Sequence, residues 1–268
     1  MGLTDTIFSD LYKLLSQHNI SATFCDDQHF SIILLNDSRL AINLIPLIND
    51  FAPGALLAIQ EEYQTRGILL AHLWADVWIS RTQQVLDRIF SLLGLNKRIH
   101  GRKTEAVAVH QAEADEFMDK YHIQGAVKSR YKYALKCHGE IVAMATFSSA
   151  RTMTQYQHEH RSVELIRFAA KSGVTVVGGL TKLITYYRSR HTVHDIMSYA
   201  DRDWSAGKGY LVAGFLLKEI IDPTELWIDS TNMKRYFNHR LPAHGAAGQP
   251  NNFTRAFNTG NLKFVLYL

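Results

Sequence analysis

Apolar positions along the chain fall into two periods. Ile7, Leu11, Leu14 and Leu15 share one face of a helix expected over residues 5–17, with Thr4 or Asp5 as its cap. Phe30–Leu35 and Leu40–Ile45 are short apolar runs on either side of Asn36–Ser38, the signature of a hairpin. A helix over Leu56–Thr65 is closed by Gly67, a strand follows over Ile68–Trp74, and helical spacing over Trp78–Leu93 ends at Gly94. Helix, hairpin, helix, strand and helix make a complete small α/β unit. The basic stretch Lys97–Lys103 reads as a linker after it. Beyond lie a helix over Gln111–Tyr121 and a second hairpin, Tyr131–Cys137 and Ile141–Phe147, around His138–Glu140. A strand over Ser162–Ala170, a helix over Gly178–Arg190, a strand over Ile196–Ala200 and a helix over Gly207–Ala213 follow. A late strand begins at Leu226 and Ile228, and the Gly-, Ala- and Pro-rich stretch Pro242–Pro250 is expected to be a loop. The pattern gives an α/β (α+β) fold class and two domains, 1–100 and 101–268.

The 268 residues are 47% hydrophobic and 20% charged, enough apolar material to exclude disorder as the main state. No run approaches the roughly 18 apolar residues of a membrane span, so no membrane partner is expected. The N-terminal residues include Asp5 and Asp10 and lack the basic and apolar regions of a signal peptide. Two cysteines, Cys25 and Cys137, form no CxxC, which fits a cytoplasmic protein. The net charge of +4 hides an asymmetry: residues 1–100 carry 7 Lys and Arg against 10 Asp and Glu, whereas residues 101–268 carry 22 against 15. A basic C-terminal half suits a polyanion, either nucleic acid or a phosphorylated cofactor such as coenzyme A.

The segment from Ser162 to Tyr187 carries the most chemistry. A strand ends, a loop with Gly178 and Gly179 follows, and a helix begins with Thr181 and Lys182 in its first turn. Free helix-end N–H groups, closely approaching glycine backbone and a nearby ammonium would make an anion cradle. A tight strand-to-helix turn that needs glycine for backbone reasons reads the same residues equally well. Neither a P-loop pattern nor GxGxxG is present. Ile196–Ser205 then runs from a strand into a polar loop, followed by Gly207-Lys-Gly-Tyr-Leu-Val-Ala-Gly-Phe215. Over residues 110–235 this order resembles the GNAT superfamily of acetyl-CoA-dependent N-acyltransferases, with Glu164–Phe168 as the splayed strand, Val176–Lys182 as the pyrophosphate loop and Tyr210–Phe215 as the Tyr-x-x-x-Gly-Phe signature. Val-Val-Gly-Gly-Leu-Thr-Lys replaces that family's usual loop sequence.

The resemblance implies acetyl-CoA or another acyl-CoA as cofactor and an unknown amine as acceptor. Main-chain groups of Ile166, Arg167 and Phe168 would pair with the pantetheine arm. Val177, Gly178, Gly179, Leu180, Thr181 and Lys182 would hold the pyrophosphate. Tyr210 would protonate the departing thiolate, and Glu164 is the candidate base, unless it is a structural carboxylate paired with Arg167 or Arg202.

A second likeness covers more of the chain. Tyr121–Gly125, Val163–Phe168, Val177–Gly179 with Lys182 and Leu183, and Ser198–Trp204 resemble a block of phage-type proteins in which a GNAT-like domain follows a PD-(D/E)XK nuclease of the very-short-patch-repair type. The N-terminal unit resembles that restriction-endonuclease-like partner. Catalysis there would need carboxylates on the hairpin strands for Mg²⁺. Asn43 stands where one is expected, Phe30–Leu35 has none, and Asp37 lies in the turn, so a degenerate nuclease fold is the expectation.

The alternative to acyl transfer is a nucleic-acid-binding or processing protein whose GNAT-like fold does not use CoA. In it Arg167, Lys182, Arg202 and Lys208 would meet phosphates. His122, Gln124 and Asp201 are further candidates for contact with substrate or nucleic acid, although His122 and Gln124 also suit a turn. The pairs His158/His160 and His191/His194 lack a third ligand at metal spacing, so no metal is expected. Cys137 reads as a small buried hydrophobe. The aromatic, basic stretch Lys234–Arg240 suits a nucleic-acid surface or an ordinary amphipathic edge.

Overall fold

The computed structural model describes residues 3–27, 29–35, 39–154, 159–241 and 252–268. The turn Asn36–Ser38 with Asp37, the histidine His158 and the loop Pro242–Pro250 lie outside the described residues. The architecture is mixed α/β, as expected, in two compact units whose borders differ from a single one near residue 100. One comprises residues 1–82, 201–206 and 220–261, the other 83–200, 207–219 and 262–268.

In the first unit, α1 (Leu3–Gln17) buries Ile7, Leu11 and Leu15. Three antiparallel strands follow, β1 (Ala22–Asp27), β2 (Phe30–Leu35) and β3 (Leu40–Ile45). After α2 (Pro53–Thr65), β4 (Leu69–Trp74) joins β3 in parallel, giving the order β1-β2-β3-β4. β3 is buried along its whole length, as its unbroken apolar run requires. The next helix, α3 (Ala75–Leu92), departs from helical geometry at Arg81.

The second unit begins within α3 and continues through β5 (Lys97–His100), β6 (Glu105–Ala108), α4 (Gln111–Tyr121), β7 (Tyr131–Cys137), β8 (Glu140–Phe147), β9 (Arg151–Thr152), β10 (Arg161–Ala170), β11 (Val174–Val177), α5 (Gly179–Arg188), β12 (Asp195–Asp201), α6 (Lys208–Val212) and β13 (Leu216–Ile221). The stretch expected to be a linker is β5 with a 3-10 turn over Gly101–Lys103. It pairs in parallel with β11, Ile99 opposite Val176, and is thereby fixed to the second unit. The β7–β8 hairpin turns at His138 and Gly139, both at positive φ, as the sequence led us to expect.

The chain then returns to the first unit with β14 (Glu225–Asp229), β15 (Lys234–Phe237) and β16 (Phe253–Phe257), and ends in β17 (Asn261–Tyr267). The return has an apolar cause: Leu226, Ile228, Ala256 and Phe257 share one core with Ile45, Leu56, Tyr63 and Trp74. Several polar groups buried in this unit are matched, whereas the Asn43 amide oxygen and Trp74 Nε1 have no hydrogen-bond partner among the described residues. Arg235 lies over the Trp74 ring and makes two hydrogen bonds to the Asp76 carboxylate, at 2.6 and 2.9 Å. Asp203 accepts from the Thr259 N–H at 3.1 Å and its hydroxyl at 2.5 Å.

The large sheet has the order β13-β17-β12-β10-β8-β7-β6, with β9 beside β10. α5 covers one face through Leu183, Ile184 and Tyr187, and α4 the other through Ala114, Phe117 and Met118. β13 is the outer strand, and Leu216, Leu217 and Ile220 on it are exposed.

His72 of β4 is fully buried, 3.1 Å from the Leu56 carbonyl and 3.2 Å from the Asn43 amide nitrogen. Burial lowers its pKa to about 4. The unfolded chain therefore takes up this proton first, and stability falls as pH drops from about 6.5 toward 4, by about 3 kcal/mol in total. His72→Gln keeps both hydrogen bonds without the titration. Urea unfolding at about pH 7.5 and pH 4.5 should show the variant losing about 2–3 kcal/mol less between the two than wild type does. Equal losses would remove His72 as the cause.

Candidate functional site

The site grows from a fork in the large sheet. β10 and β12 pair in parallel only from Ser162 opposite Asp195 to Glu164 opposite Met197, and then part. At the same point β10 bulges against β8 between Leu165 and Arg167. The extra residue switches the core-facing parity from Val163 and Leu165 to Phe168 and Ala170. Backbone groups on the β12 side of the bulge thus lose their ladder partners. The Ser198 hydroxyl supplies one: it lies 2.8 Å from the Leu165 carbonyl and 3.0 Å from the Tyr210 hydroxyl. A serine has one proton and a carbonyl can only accept, so with that proton on Leu165 the bond to Tyr210 uses the phenol's proton.

Tyr210 is held from three sides. Its ring stacks on Phe264 at 5.2 Å and 20° and meets Phe215 edge-on at 5.4 Å. The Phe215 N–H returns to the Tyr210 carbonyl at 3.0 Å, which accounts for the Tyr-x-x-x-Gly-Phe spacing. Gly207, the cap of α6, has φ +75°, and a Cβ there would stand 2.2 Å from Phe264 Cζ. Burial raises the Tyr210 pKa, against a lowering by Ser198, Arg167 and Arg88.

Glu164 alternates with Val163 and Leu165, so its side chain takes the face opposite to Ser198. Neither Arg167 nor Arg202 pairs with it, and its carboxylate has no partner among the described residues. Arg167 donates to its neighbour's carbonyl on Ile166 at 3.0 Å and to the Gly125 carbonyl at 3.4 Å. Phe168 packs on the core beside α5.

At the start of α5, Val177, Gly178 and Thr181 are exposed and Leu180 is half-buried. Gly178 caps the helix at φ +72° with open space around it. Gly179 is needed for approach instead: a Cβ there would be 2.9 Å from Val176 Cβ and 3.3 Å from Leu135 Cδ1. Lys182 is turned away from the helix end. Its ammonium donates to the Gly101 carbonyl at 2.9 Å and to that of Thr104, pinning the 3-10 turn.

The remaining candidates separate. His122 accepts the Gln124 N–H at 3.1 Å through Nδ1, a bond within its own turn. Asp201 and Arg202 belong to the first unit, where Asp201 accepts the Asp203 N–H at 3.0 Å and Arg202 lies 3.8 Å from Glu61. Lys208 is exposed at the start of α6. His160 lies 2.6 Å from the Asp195 carboxylate, which also accepts from Ser162, so these groups tie β10 to β12. No group of three or more metal-ligating side chains occurs among the described residues. Ser198 and Phe264 had escaped sequence reading, although Ser198 lies in a block already singled out.

No family model matches the chain, and no curated protein matches it. Solved structures similar to it include a Bacillus subtilis acetyltransferase in complex with CoA, at 14% identity over 62% of this chain and 99% of that one, TM-score 0.35. A GNAT family acetyltransferase from Elizabethkingia anophelis with acetyl-CoA bound gives 14% identity over 62% and 99%, TM-score 0.34. A ribosomal-protein-alanine N-acetyltransferase from Brucella melitensis gives 12% over 61% and 99%, TM-score 0.32. At these values the likeness does not decide what this chain does; the geometry of the fork must.

Gly207→Ala should cost at least about 2 kcal/mol, because the methyl displaces Phe264 from beneath Tyr210 and strains the backbone. Thermal unfolding checks this; a melting temperature within about 1 °C of wild type would show that Phe264 can move freely.

Proposed function

We propose that the second unit is a GNAT-like N-acyltransferase that takes an acyl group from acyl-CoA and passes it directly to an amine. The observation that carries the reading is the Tyr210 hydroxyl at the fork, beside Ser198 and the Leu165 carbonyl. An acyl thioester supplies an activated carbonyl carbon and a thiolate leaving group. Tyr210 turns its proton from Ser198 to the leaving sulfur, and burial keeps the phenol protonated through neutral and mildly alkaline pH. Glu164 takes one proton from the attacking amine. The two groups lie on opposite faces of the sheet, so this reading requires the reacting carbonyl to sit in the gap between β10 and β12. The new C–N bond replaces the C–S bond, and each residue is reset by proton exchange with solvent.

The residues fit the cofactor unevenly. The β12-side edge of β10 from Leu165 onward offers backbone to an extended amide chain, although the Ile166 carbonyl is already taken by Arg167. The start of α5, exposed at Gly178 and Thr181 though buried at Gly179, would offer the N–H groups of Gly179, Leu180 and Thr181 to phosphates. With Lys182 engaged on carbonyls, those amides and the helix dipole carry the anion site.

Nucleic-acid binding through Arg167, Lys182, Arg202 and Lys208 has less support, since only Lys208 is exposed and uncommitted. For the first unit we propose a degenerate nuclease-like fold without catalysis. Asn43 supports this: its amide is buried against His72 in the middle of β3.

Titration calorimetry with acetyl-CoA and with CoA tests the proposal. Micromolar binding is expected, at least about ten-fold weaker in Thr181→Glu, whose new charge suits the helix end but repels phosphate. Tyr210→Phe should bind normally and turn over about a hundred-fold more slowly with an amine acceptor. Absence of binding at millimolar ligand overturns the reading.

A further inference from the structure

The far end of α5 from Gly178, about 15 Å along the helix, carries a cluster that acyl transfer does not use. Tyr131, at the start of β7, lies 5.7 Å from Tyr187 and 4.1 Å from His191, and Tyr133 lies 5.0 Å from Tyr186. The Tyr133 hydroxyl is 2.7 Å from His191 Nε2. Tyr133 and Tyr187 are buried, whereas Tyr131, Tyr186 and His191 are half-buried and form the outer layer.

Arginines surround these rings. The Arg130 guanidinium stands 5.8 Å above Tyr131 and that of Arg190 3.5 Å above Tyr186, while Arg161 lies near enough to Tyr187 to oppose in part the rise that burial gives its pKa. Arg190 also donates to Ser189 at 2.8 Å and to the Tyr186 carbonyl at 3.3 Å, leaving most of its donors for other acceptors. All three arginines are exposed, and none has a carboxylate at ion-pair distance among the described residues. Elsewhere in the same unit the half-buried Lys171 and Lys263 are each paired, with Glu140 and Glu219.

We propose that this patch binds single-stranded nucleic acid. Three uncompensated cations call for a polyanion, and the half-buried rings beside them call for flat groups carried on it. Unpaired bases on a phosphate chain supply both, whereas a duplex hides its base faces and an acidic peptide offers nothing to stack. The site is distinct from the fork and independent of the acyltransfer reading.

Fluorescence anisotropy with a fluorescein-labelled 12-mer of thymidylate tests it, beside the same strand annealed to its complement. Wild type should bind the single strand more tightly than the duplex at low salt. Arg130→Glu with Arg190→Glu should weaken binding at least ten-fold and flatten the log–log salt slope by about 1.4, the value for two phosphate contacts. Tyr131→Leu with Tyr186→Leu should weaken it about ten-fold with the slope unchanged. Lys103→Glu with Lys218→Glu, the same charge change elsewhere, should leave it within about two-fold. Circular dichroism confirms that each variant folds. No binding by wild type, preference for the duplex, or equal loss in both charge reversals overturns the proposal.

Discussion

Two strands that part inside a sheet leave backbone groups without a ladder, and the cost of burying such groups shapes everything around the fork. Here a bulge in β10 turns the backbone, and the Ser198 hydroxyl takes over the Leu165 carbonyl. That same hydroxyl fixes where the Tyr210 phenol ends, and Gly207, Phe215 and Phe264 exist around the ring as its mould. A reactive group is thereby placed by satisfying a structural need, with no strain added for the purpose.

Where burial was strong, the elements were legible in the sequence. β2, β3, β4, β7, β8, β10 and β12 all show as apolar or alternating runs, and α4 lies where its spacing puts it. The strands that escaped are those whose apolar signal is diluted. β1 has no fully buried residue and ends in Asp26 and Asp27, and β5 carries Lys97, Arg98 and His100 around one half-buried isoleucine. Such strands are held by backbone pairing, which composition does not record. The return of 220–261 to the first unit was equally invisible, because it is decided by which core Leu226 and Phe257 enter.

The site was legible in part for a related reason. Tyr210 and Phe215 could be read because their spacing is local. Lys182 looked like a phosphate ligand because it lies near a helix start, yet its ammonium reaches two carbonyls about eighty positions earlier in the chain. Gly178 and Gly179, alike in sequence, serve different ends, one for backbone conformation and one for room. Sequence shows that a glycine or a lysine is present; only the fold shows which demand it meets.

The outer strand β13 reads Leu-Leu-Lys-Glu-Ile-Ile, with four apolar residues and an open edge. Such an edge invites a second copy to add on. A two-fold axis perpendicular to the sheet, however, can set a residue opposite only one of the same parity, since up-facing side chains stay up. The two longest antiparallel registers therefore centre on Lys218 or on Glu219, and each puts like charges face to face at the axis. Two adjacent residues of opposite sign thus weigh against self-pairing of a greasy strand without covering it, Lys218 more than Glu219, whose charge Lys263 partly offsets.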